Sequence, residues 1–398
     1  MRNHPHLLVI GASGRFLARS ASLAGYQVSV IDLFGDSDTR QLSASSQGDG
    51  RPKRMHPLVR RVAALGDLVV ELPLDVAERS PYYTVLFSGG CENYPEFFDS
   101  DFWGSAIVAG PARSSIESLL CLRRVKNACQ QLQIQTPNTI QDSDTKVAVS
   151  ENWLVKRVRS GGGLQIRRWN DTEPVGFGAG YYLQEEISGT TISGCYVAAE
   201  INGRTTTALL GACQQLPNRT PDDFRYCGSL GPVLLDTHLH EEIERVGRRI
   251  AAEFFLSGVF GIDFISAANG LYLVDINPRI TASAELIERF YRAIQPQFTI
   301  VGSHLDATLE GRLPIRLSEF EEHIFSKRII YSTAARPLII DESMAEFFNS
   351  VQWITDIPAV GTEIQPGHPL VTVHASAQDR NALAIQSAKR VQDLKKYM

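Results

Sequence analysis

The run from Gly261 to Ser283, GIDFISAANGLYLVDINPRITAS, constrains the fold of this chain more than any other stretch. Phe260 to Ser266 and Leu271 to Ile276 are short runs of apolar and β-favouring residues, and the Asn269-Gly270 pair between them signals a tight hairpin turn. Side chains alternate faces along a strand, so Asp275 and Asn277 leave one strand on the same side and Asp263 can face them across the turn. Three oxygen-bearing side chains converging there suit a hard cation such as magnesium, which takes carboxylate and carbonyl oxygens together with substrate phosphates. Arg279 follows at the strand exit with Thr281 and Ser283, a fork of donors for a phosphate or a carboxylate. A plain hairpin, with its Asp and Asn serving the turn and Asn277-Pro278 stopping the strand, uses the same residue types. The rest of the chain has to decide between the two.

A chain of 398 residues exceeds one ordinary core and calls for roughly two to four domains or subdomains. Its formal charge of -5 offers no basic field, which argues against a nucleic-acid partner. No stretch approaches the roughly 20 apolar residues of a membrane span, and Leu7 to Ile10 is too short for the core of a secretion signal. The cysteines at 91, 121, 129, 195, 213 and 227 form no Cys-x-x-Cys pair, so neither a zinc site nor a disulfide framework is expected. These features together predict a soluble protein of a reducing, cytoplasmic compartment.

His6 to Ile10 reads as a strand, Gly11-Ala-Ser-Gly14 as a tight turn, Phe16 to Leu23 as a helix and Val28 to Asp32 as a second strand. This β-α-β start resembles a dinucleotide-binding fingerprint, incompletely, because Ser13 stands for the second glycine and Leu17 for the third. Asp36 to Thr39 and Ser43 to Lys53 read as loops. Val85 to Phe87 runs into a glycine turn carrying Glu92 and Asn93, and the repetition of strand, glycine turn and helix predicts a parallel sheet with a crevice at its strand ends. Glu92 would stand at that crevice, though an ordinary loop glutamate fits the pattern as well.

The apolar spacing from Ser115 to Gln133 predicts one amphipathic helix carrying Arg123, Arg124 and Lys126, a pattern that a solvated helix face also produces. Lys156 ends a strand and is followed by Ser160-Gly161-Gly162-Gly163, whose free backbone suits phosphate cradling and suits an ordinary hairpin tip equally. Tyr181 to Ile187 is a strand that ends in Gln184-Glu185-Glu186-Ile187, able to offer an adenine ring apolar faces and edge hydrogen bonds, as would any edge strand. Helices are expected over His240 to Phe255 and Leu286 to Leu309. The remainder, from about Arg316, reads as short strands between glycine and proline turns and a final helix.

In this order, Lys126, Lys156 with its glycine loop, Gln184 to Ile187, Asp263 and Asp275-Ile-Asn277-Pro-Arg279 resemble the ATP-grasp superfamily over about residues 115–310. The resemblance implies an α/β and α+β chain in three parts: a Rossmann-like N-terminal domain at 1–114, a two-lobed ATP-grasp core at 115–312 with its lid lobe at about 136–188, and a small C-terminal α+β domain at 313–398. It implies ATP held between the lobes. Lys126 and Lys156 would meet its phosphates, Ser160 to Gly163 would form a lid, and the backbone of Gln184 to Ile187 would meet its adenine. Asp263, Asp275 and Asn277 would bind Mg2+, for which Mn2+ can substitute, and Arg279 would act with Lys156 on the transferred phosphate or the acyl substrate. Many members carry a ribose-binding acid where this chain has Thr190-Thr191, which leaves Glu185 to supply ribose contacts.

The implied reaction is ligation of a small-molecule carboxylate to an amine through an acyl phosphate. Glu92 and Asn93 would contact the amine, and Arg225 with Arg279 would contact carboxylates. Gln184-Glu185 and the Phe224 to Ser229 loop resemble ligases of one-carbon carrier cofactor biosynthesis, methanofuran or tetrahydromethanopterin. The resemblance admits a homodimer. The competing readings are carboxyphosphate chemistry on the same fold, a non-catalytic ATP-binding module, and an NAD(P)-dependent oxidoreductase built on Gly11 to Gly14 and Asp32.

Overall fold

The computed structural model describes residues 6–45, 59–62, 64–67, 84–104, 106–142, 152–170, 175–218, 220, 222–315 and 323–398. Part of the loop expected at Ser43 to Lys53, parts of the expected lid lobe and the expected start of the C-terminal segment at Arg316 lie outside these residues. Among the described residues no helix is long and apolar enough to cross a membrane.

The chain opens with β1 (His6–Gly11), α1 (Arg15–Leu23), β2 (Gln27–Asp32), α2 (Ser37–Ser45), β3 (Val59–Arg61), β4 (Thr84–Phe87) and β5 (Ile107–Ala109). The strands form a parallel sheet in the order β3-β2-β1-β4-β5. Its fingerprint-like features serve packing. Asp32 is fully buried, and its two carboxylate oxygens accept the backbone N–H groups of Gly14 at 2.9 Å, Gly35 at 2.7 Å and Phe34 at 3.2 Å. It is therefore not free to hold a ribose, and a Cβ at Gly14 or Gly11 would meet Val30 at 2.3 Å or Ser88 at 1.9 Å. The loop expected at Asp36 to Thr39 is instead the start of α2, because Asp38 docks its carboxylate on the N–H groups of Asp356 and Ile357 at 3.0 and 3.1 Å. A local reading cannot see that partner.

Next come α3 (Arg113–Leu120), α4 (Leu122–Gln131), β6 (Thr139–Ile140), β7 (Trp153–Arg157), β8 (Arg167–Arg168) and β9 (Tyr181–Glu185). The single helix expected over 115–133 is broken at Cys121, whose backbone is extended at φ -89°, ψ 92°. Strands β6, β9, β7 and β8 pair into a small antiparallel sheet over a core of Trp153, Val155 and Leu183, within the stretch expected as a lid lobe.

The largest sheet follows from β10 (Thr190–Ile201), β11 (Arg204–Gln215), β12 (Gly228–Gly231), β13 (Gly258–Ala267) and β14 (Gly270–Asn277), with α5 (Thr237–Glu253), α6 (Ala284–Ile294) and α7 (Ile300–Glu310). Asp236 caps α5 by accepting the Leu239 N–H at 2.9 Å, so the helix starts at Thr237, three residues before the start expected from periodicity. Ile243, Val246, Ile250 and Phe254 turn inward from α5 and bury themselves against Phe260, Ile262 and Phe264 of β13, each contributing about 1.5–3 kcal/mol. The opposite face of the sheet packs on α6, α7 and α1. The continuous helix expected over 286–309 is two helices, since Pro296 falls between them and Thr299 caps the second by accepting the Gly302 N–H at 3.1 Å.

The C-terminal segment contributes β15 (Ile324–Tyr331), β16 (Leu338–Ile339), α8 (Glu342–Ser350), β17 (Ile354–Thr355), β18 (Glu363–Ile364), β19 (Pro369–Ala377) and α9 (Arg380–Leu394). Its β15, β19 and β17 extend the large sheet, in the order β14-β13-β10-β11-β12-β15-β19-β17. The sheet thus runs across the boundary expected at 312/313, while α8, β17 and β19 keep a core of their own around Phe348, Val371 and Leu394.

Candidate active site

The hairpin β13–β14 forms as its turn residues require, and its register sets the site. Asp263 lies opposite Asp275 and Gly261 opposite Asn277, with an irregularity between Asp263 and Phe264. Residues directly opposite share a face, so Asp263, Asp275 and Asn277 gather on one side. That side continues onto β10, where Ser193 pairs with Asp263, and it is the face covered further along by α6 and α7.

Asp263 is held from three directions. The Ser193 hydroxyl and Gln215 Nε2, the latter at 3.3 Å, donate to Oδ1, and Asn277 Nδ2 donates to Oδ2 at 3.1 Å. Among the described residues Asp275 accepts one bond, from the N–H of Ile276 at 3.0 Å, and its side chain is exposed. Arg279 donates to Asn277 Oδ1 at 3.1 Å and to Glu92 Oε1 at 2.7 Å, which ties the clamp to the crevice of the first sheet. Lys156 stands on β7 of the small sheet, its Nζ donating to Gln184 Oε1 at 2.7 Å.

The charges respond to this crowding. Protein packed around Asp263 strips its hydration and raises its pKa, against the pull of Ser193, Asn277 and Arg279. Asp275 is raised by the same loss of water and by Asp263, although its rim stays wet. Lys156 is lowered by burial, with Asp275 and Asp263 pushing back. A bound cation would favour the charged form of both carboxylates, and a bound polyanion that of the Lys156 ammonium.

The residues fit a hard cation in part. Among the described residues no three His, Cys, Asp or Glu side chains converge. The two carboxylates and the second lone pair of Asn277 Oδ1 supply fewer than the six oxygens such a cation takes, so substrate phosphates would have to complete its shell.

The remaining expected residues divide. The Ser160 to Gly163 loop lies on the loop that follows β11: Gly162 O accepts the Tyr226 N–H at 2.8 Å, and Arg168 bonds Glu186 and Asp222 while stacking over Phe224 at 5.5 Å. Gly163 has φ +71°, and a Cβ there would lie 1.9 Å from the Phe224 carbonyl oxygen. The Glu185 and Glu186 N–H groups are committed to the carbonyls of Asn138 and Asn152 at 2.9 and 2.8 Å. The Glu185 carboxylate accepts from Asn138 Nδ2 at 2.9 Å. Lys126 is exposed on α4 and has no hydrogen bond or salt bridge with the clamp among the described residues.

Arg225, expected to meet a substrate carboxylate, is spent within the protein. It bonds Asp223 at 2.9 and 2.7 Å and Gly367 O at 2.7 Å, and lies over the Tyr331 ring at 4.7 Å. Sequence reasoning missed Ser193 and Gln215, which orient Asp263. Both sit in ordinary strand positions, and only the pairing of β10 and β11 beside β13 brings them there.

A parallel α/β sheet, a small antiparallel sheet and a large antiparallel sheet define a multi-part α/β and α+β fold that carries the two carboxylates, Asn277 and Arg279 on and beside its β13–β14 hairpin. Residues 123–283 match the family model of the ATP-grasp domain. The whole chain resembles carboxyaminoimidazole ribonucleotide synthase from Aspergillus clavatus, solved with ATP, at 15% identity and a TM-score of 0.69 over 100% of both chains. It resembles the biotin carboxylase domain of 2-oxoglutarate carboxylase from Hydrogenobacter thermophilus, solved with MgADP and bicarbonate, at 16% identity and a TM-score of 0.65, covering 93% of this chain and 86% of that one. It resembles L-amino acid ligase from Bacillus licheniformis at 14% identity and a TM-score of 0.66, covering 100% and 98%. Identities this low establish the shared fold. An uncharacterized protein of Methanocaldococcus jannaschii is 27% identical over 150 residues, 38% of this chain and 33% of the relative, so the match spans a third of that protein's length.

Proposed function

We propose that the chain is an ATP- and magnesium-dependent ligase that phosphorylates a small carboxylate and joins the resulting acyl phosphate to an amine, releasing ADP and phosphate. What supports this reading is that the segment matching the ATP-grasp domain carries the hairpin on which Asp263 lies opposite Asp275 and is bonded by Asn277, itself bonded by Arg279, with Lys156 near enough for its charge to act on both carboxylates. Magnesium, with manganese able to replace it, supplies charge neutralisation at the phosphates when bound, and Asp263, Asp275 and Asn277 would hold it. Lys156 would neutralise phosphate oxygens from the lid side, and Arg279 would position the acyl group or the transferred phosphoryl group.

The Ser160 to Gly163 loop would close over the phosphates with its N–H groups and keep water from the acyl phosphate. With the Glu185 and Glu186 amides already committed, the adenine edge would be read by the Ile187 N–H and by carbonyls of Gln184 to Ile187. Lys126 belongs to the phosphate set on the resemblance alone. The narrower reading, a ligase of one-carbon carrier cofactor biosynthesis, rests on the resemblance of Gln184-Glu185 and the Phe224 to Ser229 loop.

The test is ADP release by the purified protein with ATP and magnesium, scanned over amines paired with glutamate and other acids, and separately with bicarbonate. Stimulation by an acid and amine together, with the amide as product, is the expected result. Stimulation by bicarbonate alone would assign carboxyphosphate chemistry instead. ATP binding without stimulated ADP release under every condition would favour a non-catalytic module.

The lid gives an independent prediction. A Gly163→Ala substitution places a side chain against the Phe224 carbonyl in a left-handed backbone conformation. Such a conformation costs a non-glycine residue about 1–3 kcal/mol, so ATP affinity is expected to fall about tenfold. Calorimetric titration with ATP and magnesium reads it, and an unchanged Kd would detach this loop from nucleotide binding.

A further inference from the structure

Away from the clamp, a cavity of about 450 Å3 opens between α6 and the C-terminal segment. Its walls include Arg289 of α6, Phe325 of β15, Trp353 just before β17, His374 and Ser376 of β19, and Arg390 of α9. The charges around it do not cancel. Glu285 accepts two hydrogen bonds from Arg15 at 2.8 and 2.7 Å and one from Lys327 at 2.8 Å, and it reaches Arg289 only at 3.4 Å. Arg289 Nε is buried without a hydrogen-bond partner among the described residues. Arg390 donates to the His374 carbonyl at 2.6 Å and lies over the Trp353 ring at 5.6 Å, and among the described residues no carboxylate pairs with it.

Among the described residues Arg289 and Arg390 thus have one carboxylate contact between them, Glu285 at 3.4 Å from Arg289, and Glu285 is already engaged by Arg15 and Lys327. Burial, then Arg289 as a like charge, lowers the pKa of Arg390, the response of a cation lacking a counter-ion. His374 is 3% exposed; its Nε2 lies 2.8 Å from Thr355 Oγ1, and its Nδ1 has no partner among the described residues. Burial outweighs the nearby Glu285 and keeps this imidazole neutral. In the tautomer that accepts from Thr355, Nδ1–H is a further unused donor beside the cavity.

We propose that this cavity binds a small organic oxyanion, its carboxylate or phosphate group between Arg289 and Arg390 and its flat or apolar body against Phe325 and Trp353. Forked guanidinium donors match either oxyanion, and aromatic walls accept the rest of such a molecule. The site lies outside the nucleotide clamp, and no step of the proposed ligation uses it. Its position bears on the clamp through α6, which starts at Ala284 directly after Ser283 and carries Arg289 one turn from Glu285.

Calorimetric titration of the full chain at low salt with phenyl phosphate, benzoate and inorganic phosphate tests the proposal and distinguishes the anion types. The expected result is saturable binding of at least one organic probe. That binding should persist in Lys156→Ala, which removes a proposed phosphate contact in the clamp, and weaken by roughly tenfold or more in Arg390→Gln. Ser376→Asp, which places a carboxylate at the cavity wall and leaves both arginines in place, should abolish it. This second variant keeps the test decisive if Arg390→Gln does not fold. Absence of saturable binding for all three probes, or binding indifferent to both cavity substitutions, would overturn the proposal.

Discussion

Replacing Asp275 by alanine is expected to lower magnesium-dependent ADP formation by about 100-fold or more while leaving the fold intact. The magnitude follows from removing a preorganised charged group at the reacting phosphates, where even one neutral donor is worth about 100- to 1,000-fold. Asp275 is the carboxylate of the pair whose oxygens stay available: its neighbour Asp263 is occupied by Ser193, Gln215 and Asn277, whereas among the described residues Asp275 accepts only the N–H of Ile276. The fold should survive because the side chain is exposed and no core cluster includes it. Lys156 would also lose its strongest neighbouring counter-charge. Steady-state ADP release together with a thermal melt reads both halves, and undiminished turnover would remove the hairpin from the site.

Glu285→Gln is expected to cost about 3–5 kcal/mol of stability, the usual penalty when one partner of a buried charge cluster is removed. Glu285 is 2% exposed and joins the three parts of the chain: Arg15 reaches it from α1, Lys327 and His374 from β15 and β19, and Arg289 from its own helix. The amide keeps the volume and some hydrogen bonds but leaves Lys327 without its carboxylate, while Asp356 still serves Arg15 at 2.8 Å. Denaturant unfolding gives the magnitude, and a loss below about 1 kcal/mol, the usual worth of an exposed pair, would show the cluster to be energetically neutral.

The same residue predicts a pH dependence. Burial alone would raise the Glu285 pKa, yet Arg15 and Lys327 reverse this and hold it well below the ordinary carboxylate value. A group depressed on folding contributes stability above its unfolded pKa, about 4.3, and loses it as pH falls through the folded value. Glu288 and Asp36 work in the opposite sense, since burial raises both. Comparing wild type with Glu285→Gln isolates the first effect: the gap between them should narrow only below about pH 4.3.

Much of the fold was legible because its signals are local. Asn269-Gly270 marks the hairpin and alternation puts Asp275 and Asn277 on one face of β14, whereas Asp263 comes opposite Asp275 only through the register shift between Asp263 and Phe264. Periodicity located α5, and the start of the parallel sheet followed from glycine turns between apolar runs. The helix break at Cys121 was harder, since a periodic apolar pattern runs through it without recording a change of axis, whereas the break between α6 and α7 is marked locally by Pro296.

What the sequence determined by itself is a set of strands and helices and the residue types aligned on each face, because backbone sterics and side-chain alternation act over a few residues. What only the tertiary structure decided is which of those residues share a partner. Asp32 is a buried acceptor of backbone N–H groups, Arg225 is a strut between loops, and Ser193 and Gln215 are the donors that aim Asp263. Burial and hydrogen bonding between residues far apart in the chain set each role, and residue type and spacing do not encode that proximity.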